Sequence, residues 1–160
     1  MKRIDRILNN PTYTDRINEI YTAEETRVFC RHGYDHLLAV ARIGHIINIE
    51  EKLGLDQEMI YAAALLHDIG RFSKRESEGV SHRLASVEIA FPILIDAGFD
   101  DIEANQICDA IRLHGDKPSD PATLAGVIYR ADKLSRNCFR CDAYADCNWP
   151  EDIKNKGIIY

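Results

Sequence analysis

Residues 62–71 read AAALLHDIGR, and this segment is the starting point for interpreting the rest of the chain. Its apolar part continues a helix that Asp56 can cap and that is expected over residues 57–68. Residues three or four positions apart share a helix face, so His67 lies on one side with its apolar neighbours, Ile60, Ala63 and Ala64. The segment therefore places an imidazole on a buried face, with Asp68 directly after it where the helix ends.

The same combination of an apolar stripe and an inward-facing polar residue occurs in four further predicted helices. Their inward polar residues are His36, His82, His114 and Asp132. One inward-facing histidine is ordinary in a core, but an unpaired buried carboxylate is costly. Convergence on a shared ion explains all five helices together, and imidazole with carboxylate suits Zn, Fe, Mn, Co or Ni.

The chain as a whole shows helical periodicity, which predicts an all-α fold. The expected helices cover residues 22–31, 35–52, 57–68, 82–97, 101–114 and 121–140, based on capping signals and apolar spacing. The 160 residues are 46% hydrophobic and 29% charged, which is typical of one globular domain. We expect a single domain over residues 1–160, with a core at about 31–136 and a cysteine-containing C-terminal extension at 137–160.

Net charge and hydropathy exclude several classes of protein. The chain has 20 Lys and Arg against 26 Asp and Glu, a net charge of −6. That balance argues against binding of nucleic acid duplexes, which Lys and Arg drive. The longest apolar stretch, residues 59–66, is too short to cross a bilayer, and the first ten residues lack an apolar signal core. We expect a cytoplasmic protein that does not bind membranes, and the sequence does not predict its oligomeric state.

The five cysteines form a separate feature, and their odd number argues against a disulfide framework. Cys138 and Cys141 have the two-residue spacing of a metal-binding knuckle, and Cys147 follows after five more residues. Cys30, or His32 beside it, is the candidate fourth ligand of a second metal site holding zinc or an iron–sulfur cluster. The alternative is a set of inert reduced thiols, as we expect for Cys108 in the core.

The inward-facing residues carry a family resemblance. Over residues 31–136 the chain resembles the HD superfamily of metal-dependent phosphohydrolases. The resemblance rests on AAALLHDIGR, on Asp132 in YRADKL and on His36 upstream. The resemblance implies an HD-type helical bundle of five core helices plus N-terminal helices. It implies one metal ion held by His36, His67, Asp68 and Asp132. In dinuclear members a second ion is bound at the positions of His82 and His114, with Asp68 bridging, and the layout most resembles HD-type diadenosine tetraphosphate hydrolases.

Basic residues near the predicted ligands are candidates for binding phosphate, because charge that grows on a phosphoryl group needs cations. Some mononuclear HD nucleotidases carry an acidic residue shortly after the HD pair, whereas Arg71 stands there and matches members in which a basic residue contacts phosphate. The candidate catalytic residues are Asp68, Arg71 and Lys74. The candidate phosphate contacts are Arg71, Lys74, Arg75 and Lys117.

The other two histidines are not expected to be ligands of this site. We expect His32 to be a cap or surface group and His45 to be a surface residue.

The resulting hypothesis is a metal-dependent phosphohydrolase that cleaves a phosphate ester or anhydride through a metal-activated water, with one or two ions. Its expected partner is a small phosphorylated substrate, and a nucleotide is the favoured class. Two alternatives stay open at this point. An HD-type di-iron oxygenase uses a similar set of six ligands and would lose turnover without oxygen, and a non-catalytic nucleotide-binding sensor would bind ligand without turnover.

Overall fold

Helix α4 (Gln57–Leu66) lies at the centre of the structure, a computed structural model that describes residues 1–160. Its side chains are buried on almost every face: Ile60, Ala62, Ala63, Ala64, Leu65 and Leu66. A helix that is apolar all round has to be enclosed by other helices. Accordingly α4 packs against five others, and the HD pair directly after it lies inside the protein.

Seven further helices and no strands complete the fold. In chain order they are α1 (Lys2–Leu8), α2 (Pro11–Ala23), α3 (Tyr34–Glu50), α5 (Lys74–Ser77), α6 (His82–Ala97), α7 (Asp101–Leu113) and α8 (Leu124–Leu134). A 3₁₀ helix, Cys138–Arg140, follows α8. The helices packed on α4 are α1, α3, α6, α7 and α8. The predicted all-α helical bundle is confirmed, and no helix has both the length and the hydropathy needed to cross a bilayer.

Gly70 brings the end of α4 against the first turns of α6. A Cβ atom on Gly70 would lie 2.3 Å from the backbone nitrogen of Ser86 and 2.6 Å from the backbone oxygen of His82. The Gly70 N–H donates to Ser86 Oγ at 2.9 Å, so the close approach also satisfies a buried donor. The absence of a side chain at Gly70 therefore positions His82 beside Asp68.

Three predicted helix boundaries are correct because their signals are local. Asp100 and Glu103 form a reciprocal capping box at the start of α7. Ser81 caps α6, and Gly98 ends it with a φ of +95°, a left-handed conformation that favours glycine.

The helix predicted over residues 22–31 is wrong. Helix α2 instead begins after Asn10, whose side chain accepts from the backbone N–H groups of Thr12 and Tyr13, and it ends at Ala23. The next residue, Glu24, turns inward, and its carboxylate accepts from the backbone N–H of His32 at 2.6 Å. That hydrogen bond holds the intervening segment as a loop.

The last predicted helix, residues 121–140, is shorter at both ends. It starts after Thr123, whose hydroxyl accepts from the Gly126 N–H at 3.1 Å. Residues 120 and 121 cross closely over Gly126, where a Cβ atom would lie 2.6 Å from the Asp120 oxygen. At the other end, the Asn155 side-chain amide donates to the backbone oxygens of Leu134 and Arg136, which ends α8.

Candidate metal centre

Five helix ends meet at one buried cluster of histidine and aspartate side chains. His36 is in the first turn of α3, His67 and Asp68 follow α4, and His82 begins α6. His114 follows α7, and Asp132 lies in the last turn of α8. The packing of α3, α6, α7 and α8 around the central helix therefore brings together all six residues that the resemblance implied as ligands.

Asp68 lies at the middle of the cluster and is only 1% exposed. Its Oδ2 atom is 3.3 Å from His67 Nε2. Its Oδ1 atom is 3.5 Å from the Nε2 atoms of both His82 and His114. The two carboxylate oxygens thus face different histidines, as a carboxylate shared between two ions would.

Asp132 forms the other side of the cluster. Its Oδ1 atom lies 3.3 Å from His36 Nε2 and 3.9 Å from His67 Nε2. Donor atoms about 2.1 Å from one ion are themselves about 3–4 Å apart, so these separations suit ligands of one ion.

The cluster contains two groups of three residues, and within each group the donor atoms lie within 4.8 Å of one another. The groups are His36, His67 and Asp132, and His67, Asp68 and His114. His67 is the residue that both groups share. His67 Nε2 has one lone pair and can bind only one ion, whereas the two oxygens of Asp68 can contact two, as the resemblance implied.

Hydrogen bonds fix the orientation of three of the imidazoles. His67 Nδ1 is 2.7 Å from the Ala64 oxygen, and His114 Nδ1 is 2.6 Å from the Ile111 oxygen. His36 Nδ1 is 3.1 Å from the Ser135 hydroxyl, which donates its own proton to the Asp132 oxygen and so accepts from the ring. Because Nδ1 donates in each case, each Nε2 atom carries a lone pair that can bind a metal ion, although at His36 an ion would have to displace the Arg136 guanidinium that donates to it.

Several polar atoms in the cluster are buried without a hydrogen-bond partner. They include His67 Nε2, Asp68 Oδ1 and His82 Nε2, all of which point into the same space. Unpaired buried polar atoms are costly, and a cluster of them requires a physical cause. A divalent cation fits this donor set, because it would satisfy nitrogen and oxygen lone pairs together.

The protonation states also suit metal binding. Burial lowers the pKa values of His36 and His82 to about 4, so both rings are neutral at pH 7. Burial alone would raise the pKa of Asp68, but the neighbouring His67 and Arg71 hold it well below its usual value. Burial opposes a charge on His67, whereas the neighbouring Asp68 carboxylate raises its pKa.

Three cations contact the cluster. Arg71 Nε lies 2.8 Å from Asp68 Oδ1, although the two atoms are not aligned for a hydrogen bond. Lys133 Nζ is 2.6 Å from Asp132 Oδ2. Arg136 Nη2 donates to Asp132 Oδ1 and to His36 Nε2, both at 3.0 Å. Arg136 was not among the predicted site residues, although its position four residues after Asp132 places both on the same side of a helix.

Of the predicted phosphate contacts, the structure brings only Arg71 to the cluster. The Lys74 side chain is 88% exposed, and its nearest carboxylate is that of Glu78. Arg75 forms two hydrogen bonds with Glu88 on α6, which direct its guanidinium away from the metal centre. Lys117 is exposed in the loop after α7. Lys74 and Arg75 do not contact the cluster, and their roles in phosphate binding stay predictions.

The expectation for His32 is wrong, since its side chain is neither a cap nor on the surface. It is 5% exposed, and its Nε2 atom points at Asp68 Oδ2 from 4.0 Å. Its Nδ1 atom is 2.5 Å from Glu24 Oε1. His32 is four residues before His36, a spacing that places two residues on one face of a helix. Helix α3 begins only at Tyr34, so this spacing does not predict the position of His32. His45 lies elsewhere, half-buried against the Tyr61 ring.

Comparison with known proteins agrees with this geometry. The family described as "HD domain" matches residues 33–137. An uncharacterized protein of Clostridium beijerinckii is 41% identical over 160 residues, the full length of both chains. Ribonuclease Y of Thermus thermophilus is 37% identical over 100 residues, which are 62% of this chain and 16% of that protein. Putative phosphohydrolase YueE of Bacillus subtilis is 29% identical over 118 residues, 65% of this chain and 66% of that protein. No solved structure matches the chain significantly.

Proposed function

The chain belongs to the HD domain family, and we propose that it is a metal-dependent phosphohydrolase acting on a small phosphorylated substrate. One observation carries the proposal. Imidazole Nε2 atoms whose Nδ1 atoms are tied to oxygen acceptors converge on two buried carboxylates. The name of the YueE relative, a putative phosphohydrolase, supports the same reaction class.

The residues that would hold the ions are the six of the cluster: His36, His67, Asp68, His82, His114 and Asp132. Bound divalent ions supply an activated water and neutralise a phosphoryl oxygen. The protein contributes fixed donors, because each ligand is at the end of a packed helix. Arg71 beside Asp68 is 23% exposed in its side chain, so it can contact a phosphate while it faces the cluster.

A cavity of about 380 Å³ next to the cluster is the proposed substrate site. Its wall includes the ligand His36 together with Tyr21, Arg31, Arg136 and Asn137. The exposed Arg31 guanidinium suits a phosphate, and an aromatic ring with a carboxamide suits a base, so a nucleotide is the proposed substrate class. A larger cavity of about 510 Å³ between Gly54 and Thr123 contains none of the six ligands and has no part in this proposal.

The test is a phosphate-release assay across nucleotides and simple phosphate esters, with Mn²⁺, Fe²⁺, Zn²⁺, Co²⁺ or Ni²⁺ added to metal-stripped protein. We expect phosphate release to depend on added metal. The Asp68→Asn variant should release phosphate at least about 100-fold more slowly, and His45→Ala should match wild type. Release by Asp68→Asn at the wild-type rate would overturn the proposal. Turnover that disappears without oxygen would favour the di-iron oxygenase instead, and nucleotide binding with no release would favour the sensor.

A further inference from the structure

Four of the five cysteines line one small cavity that lies outside the metal centre. Cys30 comes from the segment between α2 and α3, and Cys138, Cys141 and Cys147 come from the chain after α8. The aromatic side chains of Phe29 and Trp149 are also part of its wall. Thiols from two distant parts of the sequence therefore meet at one place.

One hydrogen bond joins the two cysteine-bearing segments, and a second lies within the Cys30 loop. Arg136 Nη1 donates to the Arg31 backbone oxygen at 3.1 Å, next to Cys30. Arg27 Nε donates to the Cys30 backbone oxygen at 2.8 Å. The cavity wall itself brings the four thiols together.

The small size of the cavity favours a single ion. Its volume is about 20 Å³, enough for one water-sized particle. An iron–sulfur cluster or an organic ligand needs far more room, whereas a single ion does not. Zinc is the ion that four thiolates usually hold, at about 2.3 Å in a tetrahedron.

A cation suited to a thiolate site is also present. Lys154 lines the same cavity, and its Nζ atom donates to the Tyr144 backbone oxygen at 3.3 Å and to Glu151 at 2.8 Å. A zinc ion with four thiolates carries a net negative charge, which a fixed lysine beside it offsets.

We propose that Cys30, Cys138, Cys141 and Cys147 bind one zinc ion that fastens the C-terminal extension to the loop before α3. The compact donor groups in this structure are the two His/Asp groups, so zinc binding has to draw the four sulfur atoms to about 3.8 Å from one another. Zinc binding would also restrain residues of the metal centre, because Cys30 is two residues before His32 and Cys138 is two residues after Arg136.

The first experiment measures zinc per chain for wild type, Cys138→Ala, Cys141→Ala and the control Cys108→Ala. Cys108 is buried in the core away from the cavity, which makes it a matched thiol. We expect Cys138→Ala and Cys141→Ala to contain one equivalent less than wild type, as for a structural site, and Cys108→Ala to match wild type. Equal zinc content in all four proteins would overturn the proposal.

A second measurement uses wild-type protein, so it does not depend on whether a variant folds. After exchange of zinc for Co²⁺, the site should show an intense thiolate-to-cobalt charge-transfer band, which a His/Asp centre does not produce. Absence of that band would overturn the proposal. So would acid-labile sulfide, which marks an iron–sulfur cluster, or a mass showing that the cysteines had lost hydrogens to form disulfides.

A different observation concerns His32, whose position the ligand set does not explain. Both Glu24 oxygens bind this one residue: Oε2 accepts from the backbone N–H, and Oε1 is 2.5 Å from Nδ1. With Nδ1 donating to a carboxylate, the lone pair of Nε2 faces Asp68 Oδ2 at 4.0 Å. That distance is too long for a hydrogen bond but suits two ligands of one ion.

We infer that His32 is a further nitrogen ligand of the metal centre, oriented by Glu24; this rests on the proposed metal binding. The test is the affinity for Mn²⁺ by calorimetry, independent of turnover. His32→Ala should weaken binding by more than tenfold and Glu24→Gln by about tenfold, while His45→Ala binds as wild type does.

Two outcomes separate the claims. Wild-type affinity in both His32→Ala and Glu24→Gln would overturn the role of His32 while leaving the metal centre intact. No Mn²⁺ binding by wild type would instead overturn the metal centre itself, and the role of His32 with it. Glu24→Gln keeps a side chain of the same shape, so the comparison stands even if His32→Ala does not fold.

Discussion

Replacing Gly70 by alanine tests how the fold positions the metal centre. The added Cβ would lie 2.3 Å from Ser86 N and 2.6 Å from the carbonyl carbon of Ala85, and both are backbone atoms that cannot rotate away. An ordinary contact is at least 3.4 Å, so α6 has to move by about 1.1 Å. Overpacking of this kind costs about 1–3 kcal/mol, and distortion of the Gly70 N–H to Ser86 hydrogen bond in the variant adds about 1 kcal/mol.

The expected loss is therefore about 2–4 kcal/mol in the free energy of unfolding, measured by urea denaturation in EDTA. Ser86→Ala removes only the hydrogen bond and should cost about 1–2 kcal/mol. Gly157→Ala meets no atom within 4 Å and should change stability by less than about 0.5 kcal/mol. If Gly70→Ala were as stable as Gly157→Ala, the close approach of α4 and α6 would not be a structural constraint.

Three further predictions concern the site and the C-terminal tail. Arg71→Ala should lower kcat/KM for phosphate release by about 10- to 100-fold, while Arg75→Ala, held by Glu88, stays within about twofold; equal losses would contradict this difference. Asn155→Ala should lower the free energy of unfolding by about 1–3 kcal/mol, because its buried amide binds two backbone oxygens, and an unchanged urea midpoint would refute this. Mn²⁺ at 100 times its Kd should stabilise the protein by about 2.7 kcal/mol in thermal scans, reversibly with EDTA, and no shift would contradict metal binding.

What the sequence predicted correctly depends on local signals. The capping box of Asp100 and Glu103 is complete within four residues, so the start of α7 follows from the sequence. The inward position of His67 likewise follows from the apolar pattern of α4 alone.

What the sequence could not predict depends on contacts between distant elements. His32 is buried because Glu24 from the end of α2 binds both its backbone and its ring. Arg75 is directed away because Glu88 on α6 binds its guanidinium, and no pattern around residues 71–75 indicates that partner. The early end of α8 has the same kind of cause, since Asn155 caps it from the C-terminal tail.

The most direct test of the central claim is anomalous diffraction from crystals soaked in Mn²⁺ or Zn²⁺. The account predicts an anomalous peak about 2.0–2.2 Å from His67 Nε2, within the same distance of an Asp68 or Asp132 oxygen. The opposite result would be a map with no peak between these side chains, while Arg136 keeps its contacts with His36 and Asp132. That result would show that this cluster is held together by ion pairs of the protein alone.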